Sequence, residues 1–157
     1  MTLELIAIGK TDSPELQKLI ADYKNRLGHY VNFRLSILLD IKNTKNLSEA
    51  QQKEKEGELF LKHITKSDIV VLLDEKGKEL TSVGFSDYLQ KKMNAGHKKL
   101  VLLIGGPYGF SPSLYQRAQE KISLSKMTFS HQMIRLFIVE QCYRAFTILR
   151  NEPYHHR

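Results

Sequence analysis

The 157-residue sequence predicts an α/β fold on a mostly parallel sheet. Three observations carry that prediction. Short runs rich in branched aliphatic residues alternate with longer segments patterned for helices, as strand–helix–strand units require. Two of the runs, "DIVVLLD" at 68–74 and "KLVLLIG" at 99–105, are almost continuously apolar, which suits strands covered on both faces. Several helical segments open on serine or close on glycine, the residues that start and stop helices.

The elements follow in order. "LELIAIG" (3–9) reads as the first strand. A helix occupies 13–28, with Ser13 as N-cap, Pro14 in the first turn and Gly28 as its stop. "VNFRLSILL" (31–39) is the second strand. Residues 48–64 form a charged helix capped by Ser48, whose weak apolar stripe implies a solvated face. The strand at 68–74 runs into a turn at "EKGKEL", and a helix at 84–95 is closed by Gly96. The strand at 99–105 leads into a glycine-rich loop, after which Ser111 and Pro112 start a helix reaching about Lys121. "ISLSKMTF" (122–129) has mixed character. A long helix from His131 to Arg150 carries Ile134, Phe137, Ile138, Cys142, Ala145, Phe146 and Leu149 on one face. No repeat or linker interrupts the pattern, so residues 1–157 read as a single domain.

Charge is segregated. Residues 1–90 carry 13 Lys/Arg against 14 Asp/Glu, and residues 91–157 carry 11 against 3. A net of +8 confined to the last two-fifths of the chain is the footprint of a polyanionic partner, because clustered cations release counterions from phosphates. The lone cysteine, Cys142, leaves no internal disulfide and no multi-cysteine zinc site, which fits a reducing cytoplasm. No run approaches the ~18 apolar residues of a membrane span, and "MTLELIAIGK" lacks the basic leader of a signal peptide. A cytoplasmic protein without a membrane partner is expected.

In a parallel sheet, ligands sit beyond the carboxyl ends of the strands. That directs attention to the loops after Leu73, after Gly105 and around 124–130. The loop in "LVLLIGGPYGFSPS" (100–113) is no phosphate loop, since no Lys-Ser/Thr pair follows its glycines. It also lacks the G-x-G-x-x-G spacing of a dinucleotide site, and Asp40 at the second strand's end reads as an ordinary turn aspartate. Its glycines permit close backbone approach to a flat ligand, or merely a turn. Beside it, "ISLSKMTFSHQMIR" (122–135) brings small hydroxyls, a lysine and a thioether to a helix start. There His131 and Arg135 share a face at i and i+4. Taken singly, His131 reads as a cap or core histidine and Arg135 as a surface charge; together they make a site. In the tail "NEPYHHR", Tyr154 can stack on a base and Arg157 can meet a phosphate. His155 and His156 lack the spacing of a metal site. At this level a catalyst and a non-catalytic RNA- or ribosome-binding factor both stand. A nucleotide hydrolase is disfavoured by the missing lysine.

The stretches "LIAIGK" (5–10), "LLDEKGKELTS" (72–82), "LLIGGPYGFS" (102–111) and "ISLSKMTFSHQMIRLFIVEQCYRAFTILRNEPYHH" (122–156) are similar to the bacterial large-subunit rRNA methyltransferase H family, essentially end to end. The resemblance implies a SPOUT fold with a C-terminal trefoil knot, working as a homodimer. It implies methylation of N3 of a pseudouridine in helix 69 of 23S rRNA, on the ribosome, with S-adenosylmethionine as methyl donor and no metal. By motif position the donor would lie against Leu73, Gly105, Leu124, Ser125, Lys126, Met127, Thr128 and Phe129. His131, Arg135, Tyr154 and His155 would face the substrate, the tail completing the site at the dimer interface. His155 would assist deprotonation and Arg135 would stabilise the anion. The chain departs from many relatives at Ser130, which stands in place of proline and suits a helix cap. It departs again at Tyr108, where relatives often carry Glu or Asn.

Overall fold

A computed structural model describes residues 1–156; Arg157 lies outside the described residues. Five strands form one sheet: β1 (Thr2–Ile8), β2 (Asn32–Leu38), β3 (Ile69–Glu79), β4 (Lys99–Ile104) and β5 (Glu120–Ser123). Their order is β2-β1-β4-β3-β5 and every pairing is parallel, with Leu5 opposite Leu35 on one side and Leu102 on the other. The helices are α1 (Pro14–Leu27), α2 (Glu49–His63), α3 (Ser82–Asn94), α4 (Pro112–Arg117) and α5 (Met133–Leu149).

Alternation along the strands divides the core between two faces. Leu3, Leu5 and Ala7 of β1, with Leu100, Leu102 and Ile104 of β4, pack against α1, α3 and α5. Ile6, Ile8, Val101 and Leu103 face Phe60 of α2 and Leu114 of α4. Burying each such aliphatic side chain contributes about 1.5–3 kcal/mol, so both faces stabilise the sheet. α5 lies between α1 and α3 and seals Cys142 against the sheet at 1% exposure.

Side chains set the helix starts. The hydroxyls of Ser13, Ser48, Thr81 and Ser111 accept the backbone N–H groups of Leu16, Gln51, Gly84 and Leu114, and Ser48 with Gln51 completes a capping box. No helix among the described residues is long and apolar enough to cross a membrane.

The fold departs from the sequence expectation in three places. The expected turn at "EKGKEL" is a continuation of β3, which pairs with β5 on both sides of a bulge: Leu73 and Lys78 both stand opposite Ile122. Gly77 permits this, because a Cβ there would come within 2.7 Å of the Ile122 backbone. The helix expected to reach Lys121 ends at Arg117 instead. The Gln119 N–H donates to the Val70 carbonyl at 2.9 Å, and its side-chain oxygen accepts the Val70 N–H at 2.7 Å, drawing the chain into the sheet edge as β5. α5 begins at Met133, two residues after His131, with the Ser130 hydroxyl accepting the Met133 N–H at 3.0 Å.

Candidate active site

Beyond the carboxyl ends of β3, β4 and β5 lies an open cleft of about 730 Å³. That volume suits a nucleoside-sized ligand. Three segments build it. Leu73 to Lys76 leave the regular part of β3, Ile104 to Phe110 follow β4, and Ile122 to His131 join β5 to α5.

The glycine loop is folded on itself. Gly106 and Gly109 form a β-bridge, and a Cβ on Gly105 would meet the Gly109 backbone at 3.2 Å and the Phe110 ring at 3.3 Å. A side chain at Gly105 would crowd the loop's own interior, and Gly105, Gly106 and Gly109 give this part of the wall bare peptide groups. The 123–128 segment is stitched by short-range bonds. Ser123 Oγ donates to the Ser125 carbonyl at 2.8 Å, Ser125 Oγ accepts the Met127 N–H at 2.9 Å, and Thr128 Oγ1 donates to Glu75 Oε2 at 3.0 Å. Met127 and Phe129 are exposed at the mouth, the Phe129 ring 5.0 Å from that of Phe137.

Of the residues expected to hold a donor, Leu73, Gly105, Leu124, Ser125, Met127, Thr128 and Phe129 all line this one cleft. Lys126 does not. Its side chain is 87% exposed and reaches outward to Glu79 at 3.8 Å. His131 lines the cleft, as do Glu49, Asp74, Glu75 and Tyr115, which the sequence reading passed over. Tyr115 donates its hydroxyl to Asp74; burial, reinforced by that carboxylate, pushes the phenol up to about 12. The signal that could have found Asp74 and Glu75 is Gly77, since a glycine just after a buried strand can mark a bulge as well as a turn.

Arg135 requires a correction. It is 1% exposed, and its guanidinium donates to the Gly9 carbonyl at 2.6 Å, the Ile8 carbonyl at 2.8 Å, Thr11 Oγ1 at 3.1 Å and the His131 carbonyl at 3.1 Å. Burial lowers its pKa, opposed by Asp12 and Asp40. Four of its five N–H groups are engaged by the chain itself, and Arg135 is not among the residues that line the cleft. It clamps the start of α5 to the sheet and thereby fixes the height of His131.

The tail residues also lie away from the cleft of their own chain. Tyr154 folds back along α5, donating to Glu140 Oε1 at 2.9 Å, with its ring 4.7 Å from that of Tyr143. Burial, with bonds to Tyr23 and Glu140, raises its pKa. Arg144 covers the Tyr154 ring and its NH1 lies 3.3 Å from His155 Nδ1. His156 is exposed, and Arg157 falls outside the described residues.

Comparisons with known proteins give the family. The family model "Predicted SPOUT methyltransferase" matches residues 1–155. A protein of Flavobacterium johnsoniae named ribosomal RNA large subunit methyltransferase H is 65% identical over 157 residues, all of both chains. Proteins of the same name from Christiangramia forsetii and Parabacteroides distasonis are 63% and 64% identical, covering 100% and 99% of each chain. A solved structure, described as a probable methylase family protein from Haemophilus influenzae, covers 99% of this chain and 70% of its own. Its TM-score is 0.50 at 11% identity, which speaks to the fold alone. The chain therefore belongs to the SPOUT methyltransferase family, among its large-subunit rRNA methyltransferases H.

Proposed function

We propose that this protein transfers a methyl group from S-adenosylmethionine to N3 of a pseudouridine in helix 69 of 23S rRNA, on the assembled ribosome in the cytoplasm. The observation that carries the reading is the convergence of Leu73, Gly105, Leu124, Ser125, Met127, Thr128 and Phe129 on one backbone-walled cleft. Relatives that match along the whole chain are named for methylation of large-subunit rRNA. The basic last two-fifths of the sequence suits an RNA partner. Family membership also supports the expected single domain and knotted threading of its C-terminal part.

The residues present fit the donor. Peptide groups of the folded glycine loop and of 124–129 lie on the cleft wall and can read an adenine edge. Carboxylates of Glu49, Asp74 and Glu75 on the cleft wall favour a ligand carrying positive charge. When bound, S-adenosylmethionine supplies an electrophilic methyl group on a sulfonium.

The protein's task is then positioning and charge stabilisation. Leu73, Ile104 and Leu124 exclude water from the adenosyl end, and Met127 and Phe129 cover the mouth. His131, on the cleft wall, would meet the target base as it enters. The imide nitrogen must lose its proton, to water in this arrangement, and the resulting charge spreads to the flanking carbonyl oxygens. Arg144 always donates, so its contact makes His155 Nδ1 the acceptor and leaves Nε2–H as a donor. In this arrangement His155 stabilises the anion at a carbonyl oxygen, the role first expected of Arg135; it accepts a proton at Nδ1 only once Arg144 moves away. Tyr154 and His155 do not reach the cleft of their own chain, so they would serve the cleft of a second copy. Met133 and Phe137, exposed beside Phe129 at 41% and 37%, offer that copy an apolar face.

Radiolabelled methyl transfer to ribosomes lacking the mark tests the reading, with His155→Ala beside the native protein. Incorporation at the pseudouridine is expected, reduced about 100-fold or more in the variant. Full single-turnover transfer by His155→Ala removes the role of that residue. Absence of incorporation by a native protein that binds S-adenosylmethionine removes the substrate assignment.

A further inference from the structure

α2 does more than cover the sheet. Its residues Glu56 and Gly57 are buried against the segment that runs from the cleft to α4. A Cβ on Gly57 would collide with Ser111 Oγ, the cap of α4. One residue earlier, Glu56 is 3% exposed and its carboxyl lies against Gly106. A Cβ on Gly106 would stand 2.7 Å from Glu56 Oε1 and 2.9 Å from its Cδ, and nearer still to Oε2. The Gly106 hydrogen in that direction is therefore aimed at the carboxyl, as in a weak Cα–H···O contact. Gly106 lines the cleft; Glu56 stands directly behind that wall.

Glu56 Oε1 has no hydrogen-bond partner. Buried polar atoms are nearly always paired, and an unpaired buried carboxylate is far costlier than the neutral acid. The surroundings do not compensate it. The segment after β2 presents Asp40, a like charge; the 105–113 segment presents peptide groups and the Ser111 and Ser113 hydroxyls; α2 itself presents Gln52. Burial and then Asp40 raise the carboxyl's pKa, and Gln52 only partly offsets them.

We infer that Glu56 is a positioning residue of the cleft, whose buried carboxyl braces Gly106 from behind at the place where the loop holds an adenosyl ligand. Ionisation would put a charge against the loop and draw solvent or Gly106 out of place. The inference rests on the donor reading above, and the two can fail separately.

The test is calorimetry of S-adenosylmethionine binding by the full chain from about pH 5 to about pH 9, for the native protein, Glu56→Gln and Glu56→Ala. Glutamine has the same shape and no charge. It is expected to bind within about twofold of the native protein at the acid end and to outbind it by about threefold or more at the alkaline end. Alanine removes the brace and is expected to weaken binding about tenfold throughout, with thermal unfolding recorded to show a folded chain. Parallel native and glutamine profiles overturn the inference, and so does an alanine variant with native affinity. If alanine does not fold, the native–glutamine pair alone decides. No binding by the native protein at any pH overturns the donor reading instead.

Discussion

Two glutamates of this protein are equally buried, at opposite ends of the sheet, and their chemistry is opposite. Glu4, 2% exposed near the amino ends of the strands, is surrounded by partners. Ser36 Oγ donates to it at 2.5 Å, His63 Nε2 lies at 2.9 Å, and Lys99 Nζ lies 2.6 Å from its second oxygen and 3.6 Å from Asp68. Burial alone would raise its pKa, but Lys99, Ser36 and His63 outweigh that and hold it at about 2. An oxygen of each lacks a hydrogen-bond partner, but Glu4's is ion-paired to Lys99 whereas Glu56, 3% exposed beneath the cleft, has no ion pair among the described residues and is pushed the other way. Burial therefore does not decide a carboxyl's charge; the partners it is buried with do. One end of the sheet is locked by ion pairs, and the other keeps a carboxyl without an ion pair behind the cleft wall.

The largest break in this contrast is Lys99→Ala, which leaves Glu4 buried without its cation. A loss of about 2–4 kcal/mol is expected in urea unfolding at neutral pH, the lysine being partly exposed. Glu4→Gln should cost roughly 2–3 kcal/mol at neutral pH, and the deficit should vanish on acidification. The sign follows from the lowered pKa: stability is present above the unfolded value of 4.5 and is lost as pH falls towards about 2. Glu56 must slope the other way. Its raised pKa makes its contribution complete below 4.5 and lost as pH rises through the folded value, so Glu56→Gln should gain on the native protein as pH climbs. Thermal unfolding of the two glutamine variants between acid and neutral pH checks both slopes, and slopes of the same sign would refute the contrast. The smallest effect is expected at Lys126→Ala. That side chain points to solvent, so calorimetry should show less than about a twofold change in donor affinity.

Much of the fold was legible in the sequence because its signals are local. Ser13, Ser48 and Ser111 cap helices through their own side chains, and the apolar runs at 68–74 and 99–105 are buried strands. β5 was not legible: "EKIS" has one aliphatic residue, and it is a strand only because β3 lies beside it. The cleft was legible where backbone makes it, at Gly105 and 124–129. Arg135 misled because the partners that bury it, Gly9, Ile8 and Thr11, come from the far end of the chain and leave no local signal. Glu56 was hidden for a related reason. In "KEKEGELF" it looks like any solvated charge, and only the approach of Gly106 from another part of the chain makes it buried.

Cys142 has a practical consequence. Sealed under α5 and pushed far up in pKa by burial and then by Glu140, its thiol is unreactive in the native protein. A cysteine introduced at exposed Lys126 or Tyr108 would then be the single labelling site on the chain. One fluorophore there could report cleft occupancy in real time, without first removing a native thiol.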